Sequence, residues 1–538
     1  MIPNLPGASD FDVFEERERK IEMAARNVVA TVRSDQFGHG WRPKGIDEVA
    51  ILLESLGYSA EVIGDLWYDS LFDFARDVAH VVDKYISDEE RAERRDAHWF
   101  ARTCRDYAIG SLYAGPWIIA VLGLAAFGSA LRSSISTPIH IATAIALGVY
   151  SGLVVSAIFS QSIARRLTFY FLQDNAPLIL WTLNRFIGVA SAAFILAGSL
   201  MWFALRPFYG DSDAWLAASY FTGSGIFQVS LAPLYTMRRF TWIVGIAAFA
   251  TLSTGLTSVL WFGRRLELAW QPSMLALEVG TVGAIVMAAT LVWARRHAHD
   301  GTDGLKAPAL RTIVGATLPY AGFGAAYFAM IVIDHAAAGL RDGYPYVYRT
   351  GYELGCNIAL LAILPAVGVI NVALENLPRR ILHGANAGIA QGEPLNREMI
   401  RWYLASVAAV CVATALAVGI AELIAPFIID RTIAGSAPIR AETMLVLRLA
   451  AIGYGLLMLG LLNCQLLFFL SRPLAPLVAS IAGASLCALC SAAVVVAHLP
   501  AAYCVFALDG GIVAFVIITT FAAARAAANF TYAYYAAY

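Results

Sequence analysis

After residue 106, apolar runs of about 20 residues alternate with short polar loops along the whole chain. Each run is long enough for an α-helix to cross a hydrocarbon core of about 30 Å. The pattern therefore predicts an all-α integral membrane protein with about twelve membrane-spanning helices. They are predicted near residues 110–131, 139–163, 186–205, 214–236, 240–262, 273–294, 311–334, 351–374, 402–425, 444–470, 474–498 and 501–525.

The first 105 residues follow a polar, amphipathic helical pattern instead. Residues 1–106 hold 14 Lys and Arg against 22 Asp and Glu, whereas the remainder holds 24 against 17. Within this region, Ser87-Asp88-Glu89-Glu90 has the form of a capping box and predicts a new helix start. We expect a soluble helical cytosolic domain over 1–105. Two membrane bundles of six helices each then follow over 106–300 and 301–538, divided by a long basic loop.

Loop charges predict the orientation of the chain in the membrane. If the N-terminus is inside, 15 of the 24 cations after residue 106 fall on cytosolic loops. Cytosolic loops of membrane proteins carry an excess of Lys and Arg. The pattern therefore favours both termini in the cytosol, although Arg264 and Arg265 fall on the opposite side.

Burying an acidic side chain within or beside a membrane helix costs free energy. Such residues therefore indicate a transport pathway, a site for a coupling ion, or a contact that fixes the packing of helices. The most central by sequence is Glu278, for which Arg448 or Arg185 are conceivable partners. Helix-end ion pairs without a transport role remain an alternative for the other acids. The candidates for transport or coupling are Asp334, His335, Glu353, Glu375 and Glu278.

Basic pairs and aromatic residues supply two further sets of candidates. Arg165 and Arg166 follow the second predicted span, and Arg379 and Arg380 follow the eighth, so both pairs are candidates for a cytosolic gate or docking site. Aromatic planes suit the apolar faces of sugar rings, although interfacial aromatic belts explain most such residues in membrane proteins. The glycan-contact candidates are Tyr320, Tyr327, Tyr352 and Trp117.

Motifs of catalysis and of metal binding are absent from the sequence. There is no Walker A motif, nucleophile elbow or zincin motif. The C-x-x-C formed by Cys487 and Cys490 lacks further ligands and lies in an apolar run, which is typical of core residues. No enzymatic activity, cofactor, metal site or nucleic-acid partner is therefore expected.

Several sequence patches, in order, carry a resemblance to a known family: Ala114–Trp117, Tyr327–His335, Tyr352–Glu353, the run from Leu364–Pro365 to Glu375, and residues 465–477. They resemble the PelG family of membrane exporters. This family serves Pel-type bacterial exopolysaccharide systems and is a branch of the multidrug/oligosaccharidyl-lipid/polysaccharide (MOP) flippase superfamily. His335 stands where the family has lysine, and the extension over 1–105 has no family counterpart. The turn at Ala164–Leu167 also lacks the acidic residue of the family.

The resemblance implies two six-helix bundles in a MOP/MATE-like fold, embedded in the lipid bilayer of a bacterial inner membrane. It implies export of a polysaccharide substrate by alternating access, together with a cytosolic glycosyltransferase and other membrane subunits. The energy would come from an ion gradient or from polymer synthesis. Two alternatives stay open: an ion-coupled flippase for small molecules or lipid-linked oligosaccharides, and a non-transporting scaffold for a glycosyltransferase.

Overall fold

The computed structural model is almost entirely α-helical over the residues it describes, and these contain no β-strand. They fall into two compact units, one of residues 1–105 with 373–395 and one of residues 106–372 with 396–538. The described residues are 21–29, 31, 43, 45–55, 70–93, 99–114, 116, 138–172, 176–262, 271–297, 310–341, 343–386, 393–432 and 437–535.

The first unit contains helices α1 (21–29), α2 (Ile46–Ser55) and α3 (Leu71–Glu93). Apolar residues spaced three or four apart on each helix meet in one core, which includes Val28, Leu53 and Phe74. Ser70 caps α3, because its hydroxyl accepts the Asp73 N–H at 3.2 Å and donates to the Asp73 carboxylate at 2.6 Å. The predicted helix start at Ser87 is wrong, since α3 continues through it and contains no Gly or Pro between Leu71 and Ser87.

The second unit holds most of the apolar helices. Ten helical segments among the described residues are long and apolar enough to cross a membrane. The helices that follow α3 are α4 (Trp99–Ser111), α5 (Ile139–Leu172), α6 (Ala176–Thr236), α7 (Phe240–Phe262), α8 (Gln271–His297), α9 (Leu310–Ala338), α10 (Thr350–Ala359), α11 (Ile363–Asn386), α12 (Glu393–Thr432), α13 (Ala437–Phe469), α14 (Leu474–Val496), α15 (Cys504–Ala528) and α16 (Phe530–Tyr535). The start of α4, the later part of α11 and the first residues of α12 belong to the first unit. Short 3-10 turns cover Leu112–Ala114, Leu360–Ala362 and Ala501–Tyr503.

Helix α6 contains two of the predicted spans. A straight helix of its 61 residues would be about 90 Å long, three times the hydrocarbon thickness. Gly210 interrupts it with φ 79° and ψ 174°, a conformation that essentially only glycine adopts. The two arms then pack on each other, with the rings of Phe194 and Phe221 5.3 Å apart. The ten segments thus contain eleven of the twelve predicted spans, and the first span lies mostly outside the described residues.

Helices α5 and α9 pack along each other and join the part of the chain before residue 300 to the part after it. We call this contact the seam. It is close at Gly324, where a Cβ atom would lie 2.9 Å from the Ala157 carbonyl oxygen. Helix α9 also packs on α14 and α15, while α13 packs on α10 and α15. The seam therefore places residues of the first predicted bundle against residues of the second.

Arg165 and Arg166 lie inside α5, not in a turn after the second span as predicted. The helix runs on to Leu172 because residues 163–172 contain no Gly or Pro that would end it. Both arginines therefore remain on the helix that forms the seam.

Candidate functional site

Six polar side chains meet at one end of the seam and form what we call the polar cluster. Helix α5 contributes Tyr150, the last turns of α9 contribute two residues, the following loop contributes one, and the first turn of α10 contributes two. All but Tyr150 are less than 9% exposed. The members are Tyr150, Asp334, His335, Tyr346, Tyr352 and Glu353.

The Glu353 carboxylate accepts most of the hydrogen bonds of the polar cluster. Its Oε1 accepts a hydrogen bond from the Tyr346 hydroxyl at 2.7 Å, and its Oε2 accepts one from the Tyr150 hydroxyl. Oε2 also lies 2.8 Å from His335 Nδ1. Because an ionised carboxylate only accepts, His335 Nδ1 carries the proton and donates it. A side chain that is 1% exposed thus has three donors from three separate segments.

Asp334 is the second acidic residue of the polar cluster. Its Oδ2 accepts a hydrogen bond from the Tyr352 hydroxyl at 2.6 Å. Its Oδ1 is buried and has no hydrogen-bond partner among the described residues. The Cys356 thiol, one turn beyond Glu353 on α10, completes a group of three potential ligand atoms with Asp334 and His335, all within 4.8 Å of one another. An unpaired buried carboxylate oxygen carries a desolvation cost that calls for an explanation.

The loop between α9 and α10 is tied to the first predicted bundle. Tyr209 of α6 donates its hydroxyl to the Tyr346 carbonyl at 2.6 Å and accepts the Tyr346 N–H at 3.0 Å. Thr143 of α5 accepts the Tyr348 N–H at 2.9 Å. The loop itself folds back tightly, since a Cβ atom on Gly339 would lie 2.4 Å from the Tyr346 ring. Together with the hydrogen bonds of the polar cluster, these contacts bridge the two predicted bundles.

The phenols of Tyr346 and Tyr348, two of the tyrosines of this loop, remain neutral. Burial, together with the nearby Glu353 carboxylate, raises the pKa of Tyr346 and Tyr348 above the ordinary value. Both phenols therefore keep their protons throughout the physiological pH range.

A second set of contacts holds the opposite end of the seam. Arg166 Nη2 lies 3.4 Å from the Thr312 carbonyl oxygen and 3.3 Å from that of Ile313, at the start of α9. The Arg165 guanidinium lies over the Tyr320 ring, 5.0 Å from its centroid. The predicted gate arginines of the second span thus contact α9.

Other predicted residues lie outside the polar cluster. Tyr327 packs among aromatic rings, including Phe323 at 5.6 Å and Phe515 at 5.9 Å. Glu278 is half-buried in α8, and its suggested partner Arg448 pairs with Glu422 at 3.1 Å instead.

Three more of the predicted residues are in the first compact unit, and one is not described. Glu375, Arg379 and Arg380 belong to the part of α11 that this unit contains. Trp117 lies outside the described residues. The roles proposed for all of these residues stay predictions.

The structure brings together the predicted residues Asp334, His335, Tyr352 and Glu353. Their partner Tyr150 was not predicted. The sequence offers only one weak sign of it, a tyrosine within an apolar helix, because a buried tyrosine hydroxyl usually finds a hydrogen-bond partner. Tyr209 is similar, and Cys356 resembles any small core residue.

Known structures are similar to this chain in fold. The crystal structure of a MATE point mutant matches it with a TM-score of 0.51 at 15% identity, covering 79% of this chain and 95% of that one. A MOP superfamily transporter from Pyrococcus furiosus Vc1 (DSM3638) matches with a TM-score of 0.50 at 15% identity, over the same shares. The fold is that of the MATE transporters. No protein-family profile matches the chain, and no curated protein is significantly similar in sequence.

The MATE-like fold accounts for the arrangement of the apolar helices. The chain is a multi-pass membrane protein, as its ten long apolar segments also indicate. Because the identity is only 15%, the likeness concerns the fold, and the function has to be argued from the chain's own residues.

Proposed function

We propose that this protein is a transporter that moves a Pel-like exopolysaccharide from the cytosol across a bacterial inner membrane. It works by alternating access and performs no enzymatic chemistry of its own. Both termini lie in the cytosol, where a glycosyltransferase supplies the polymer, and other membrane subunits complete the export complex.

The observation that carries the proposal is the convergence of residues from the resemblance patches. Asp334 and His335 come from one patch and Tyr352 and Glu353 from the next, and all four belong to the polar cluster. Buried ionisable groups in membrane proteins are costly and are kept where function requires them. Their position at the seam of a MATE-like fold supports a part in the transport cycle.

The two ends of the seam suggest how the cycle proceeds. The polar cluster holds one end, which faces the exterior in the predicted topology, and the Arg165–Arg166 contacts hold the cytosolic end. Alternating access rocks one bundle against the other around a central site. In the proposed cycle the polar cluster separates while the arginine contacts hold, and the reverse happens in the next step. Tyr320, Tyr327 and Tyr352 become available for glycan contact only when the seam opens.

The first unit is the proposed docking site for the glycosyltransferase. Its three helices form a core of their own, so it presents a folded surface. Ile51 and Phe72 are exposed on that surface, at 65% and 54%, and residues 1–105 carry seven more acidic than basic side chains, 21 against 14. A partner with a basic, partly apolar face suits this surface.

A reversible cross-link across the seam tests the transport mechanism. Thr143→Cys with Tyr348→Cys puts thiols on two residues that a hydrogen bond, from the Tyr348 backbone N–H to the Thr143 hydroxyl, joins between α5 and the loop before α10. In a deletion strain that depends on the variant, a short bifunctional thiol reagent should stop polymer secretion. A reducing agent should restore it, because the outer end of the seam is then free to open.

The matched control cross-links two residues of the second predicted bundle. Arg349 and Glu442 pair at 2.8 Å within that bundle, so Arg349→Cys with Glu442→Cys does not bridge the seam. The proposal predicts unchanged secretion for the cross-linked control. Equal secretion by the cross-linked and reduced seam variant would exclude opening at this end.

The same strains separate the alternative functions. If the deletion strain still secretes its polymer but gains sensitivity to cationic drugs, small-molecule efflux replaces polysaccharide export. If removal of residues 1–105 stops secretion while the cross-linked seam variant secretes normally, the scaffold interpretation is favoured.

A further inference from the structure

Asp334, His335 and Cys356 have the arrangement of a metal centre that the proposed transport cycle does not require. One ligand atom from each of the three side chains lies within 4.8 Å of the other two. In a tetrahedral zinc site the ligand atoms are about 3.3–3.8 Å apart, as follows from metal–ligand distances of about 2.0–2.3 Å. Side-chain adjustments of about an ångström would therefore close the site around an ion.

Each of the three residues offers one ligand atom for this purpose. Asp334 Oδ1 is buried without a hydrogen-bond partner among the described residues. His335 Nδ1 is engaged by Glu353, so Nε2 is the nitrogen that would bind the ion. The His335 ring and the Cys356 thiol are hydrogen-bond partners in the structure, and an ion bound to both would replace that bond. The Cys356 thiol is 1% exposed and lies on the same face of α10 as Glu353, three residues earlier.

The surrounding hydrogen bonds resemble those that orient metal ligands. Metal-binding histidines usually donate their second ring N–H to a carboxylate, and binding carboxylates are themselves hydrogen-bonded. Here Glu353 Oε2 accepts from His335 Nδ1 at 2.8 Å, and the Tyr352 hydroxyl holds Asp334 Oδ2 at 2.6 Å. Both outer contacts use His335 Nδ1 and Asp334 Oδ2, which are not the atoms proposed to bind the ion.

We propose that Asp334, His335 and Cys356 bind a divalent transition-metal ion, with zinc as the best match. Thiolate, imidazole and carboxylate are its usual protein ligands, and three of them leave a fourth coordination position. The charges also balance, because one carboxylate and one thiolate offset the two positive charges of the ion. A neutral centre removes the cost of an unpaired buried carboxylate oxygen.

The bound ion would fasten α9 to α10 within the second predicted bundle. Asp334 and His335 lie in the last turns of α9, and Cys356 lies in α10. Because all three ligands belong to one bundle, the ion stays with that bundle while the seam opens and closes. The metal proposal can therefore be correct or wrong independently of the transport proposal.

Metal content of the purified protein tests the proposal. The full chain is expressed with zinc in the medium, purified in detergent through a tag without histidines, and analysed by mass spectrometry for metals. We expect about one zinc ion per chain in the wild type. Cys356→Ala and Asp334→Asn should each lower the content at least fivefold, because each removes one of three ligands. Cobalt substitution should add thiolate-to-metal absorption bands that Cys356→Ala abolishes.

Cys464→Ala is the matched control. Cys464 is also a fully buried helical cysteine, but it is not part of the ligand group. It should keep the wild-type metal content and the cobalt spectrum. Glu353→Gln should bind zinc about 10- to 100-fold more weakly, the usual effect of losing an outer-shell partner of a ligating histidine.

Two results would overturn the metal site. The first is a wild type with less than a fifth of an ion per chain after growth in zinc and in cobalt. The second is unchanged metal content in Cys356→Ala, which would place the ion elsewhere. Either result leaves the three residues as a hydrogen-bonded cluster without an ion.

Discussion

Replacement of Glu353 by alanine should destabilise the protein more than removal of the Asp334 or the Glu442 carboxylate. The substitution removes the common acceptor of Tyr346, Tyr150 and His335, which lie on different segments. All three donors stay in a site where the carboxylate is 1% exposed, so water reaches them poorly. The protein then carries unpaired donors together with a cavity.

The size of the effect follows from the number of donors. A buried donor without an acceptor costs about 1–3 kcal/mol, so three would cost about 3–9 kcal/mol. Because Tyr150 and His335 lie close enough to pair with each other, the lower part of that range applies. We expect about 3–5 kcal/mol, the range found when one partner of a buried ion pair is removed. Glu353→Gln keeps the shape and one acceptor oxygen, so we expect about half that loss.

Thermal unfolding in detergent, followed by fluorescence size-exclusion chromatography, measures the effect. At about 2 °C per kcal/mol for a large domain, Glu353→Ala should lower the Tm by about 6–10 °C. Glu442→Ala is the control, because it breaks the partly exposed pair with Arg349 and should cost at most about 1 kcal/mol. A Glu353→Ala protein that melts within 2 °C of the control would refute the reasoning.

Three further substitutions, one of them with a matched control, test the packing and the hydrogen bonds by the same thermal assay. Gly225→Ala should destabilise the folded protein by about 1–3 kcal/mol, because a Cβ atom at this position would lie 2.0 Å from the Phe194 ring. Gly245→Ala is the control: a Cβ atom there meets open space, so the substitution should leave the stability unchanged or raise it. Gly210→Ala should cost about 1–3 kcal/mol, since φ is 79° there; an unchanged Tm would contradict the kink. Tyr346→Phe removes one hydrogen bond to the Glu353 carboxylate and should lower the stability by about 1.5–3 kcal/mol. An unchanged Tm would indicate that this hydrogen bond is not formed.

The helical spans were predictable because a bilayer imposes a simple length rule on apolar sequence. Eleven predicted spans coincide with described helices, including both arms of α6. The predicted helix start at Ser87 failed because a capping pattern also fits the interior of a helix that nothing interrupts. Likewise, the charges of Arg165 and Arg166 predict the end of a span, whereas α5 continues through both residues to Leu172.

By itself, the sequence determined the membrane-spanning character of the chain and named Asp334, His335 and Glu353 among five candidates for transport or coupling. Charge in an apolar helix is visible without coordinates, because its desolvation cost does not depend on which helices are neighbours. Only the tertiary structure decided that Glu353 has three donors, that Tyr150 is one of them, and that Asp334 Oδ1 has none among the described residues. The physical reason is that hydrogen bonds depend on distances between helices, which residues some 200 positions apart in the chain acquire only when α5, α9 and α10 pack together.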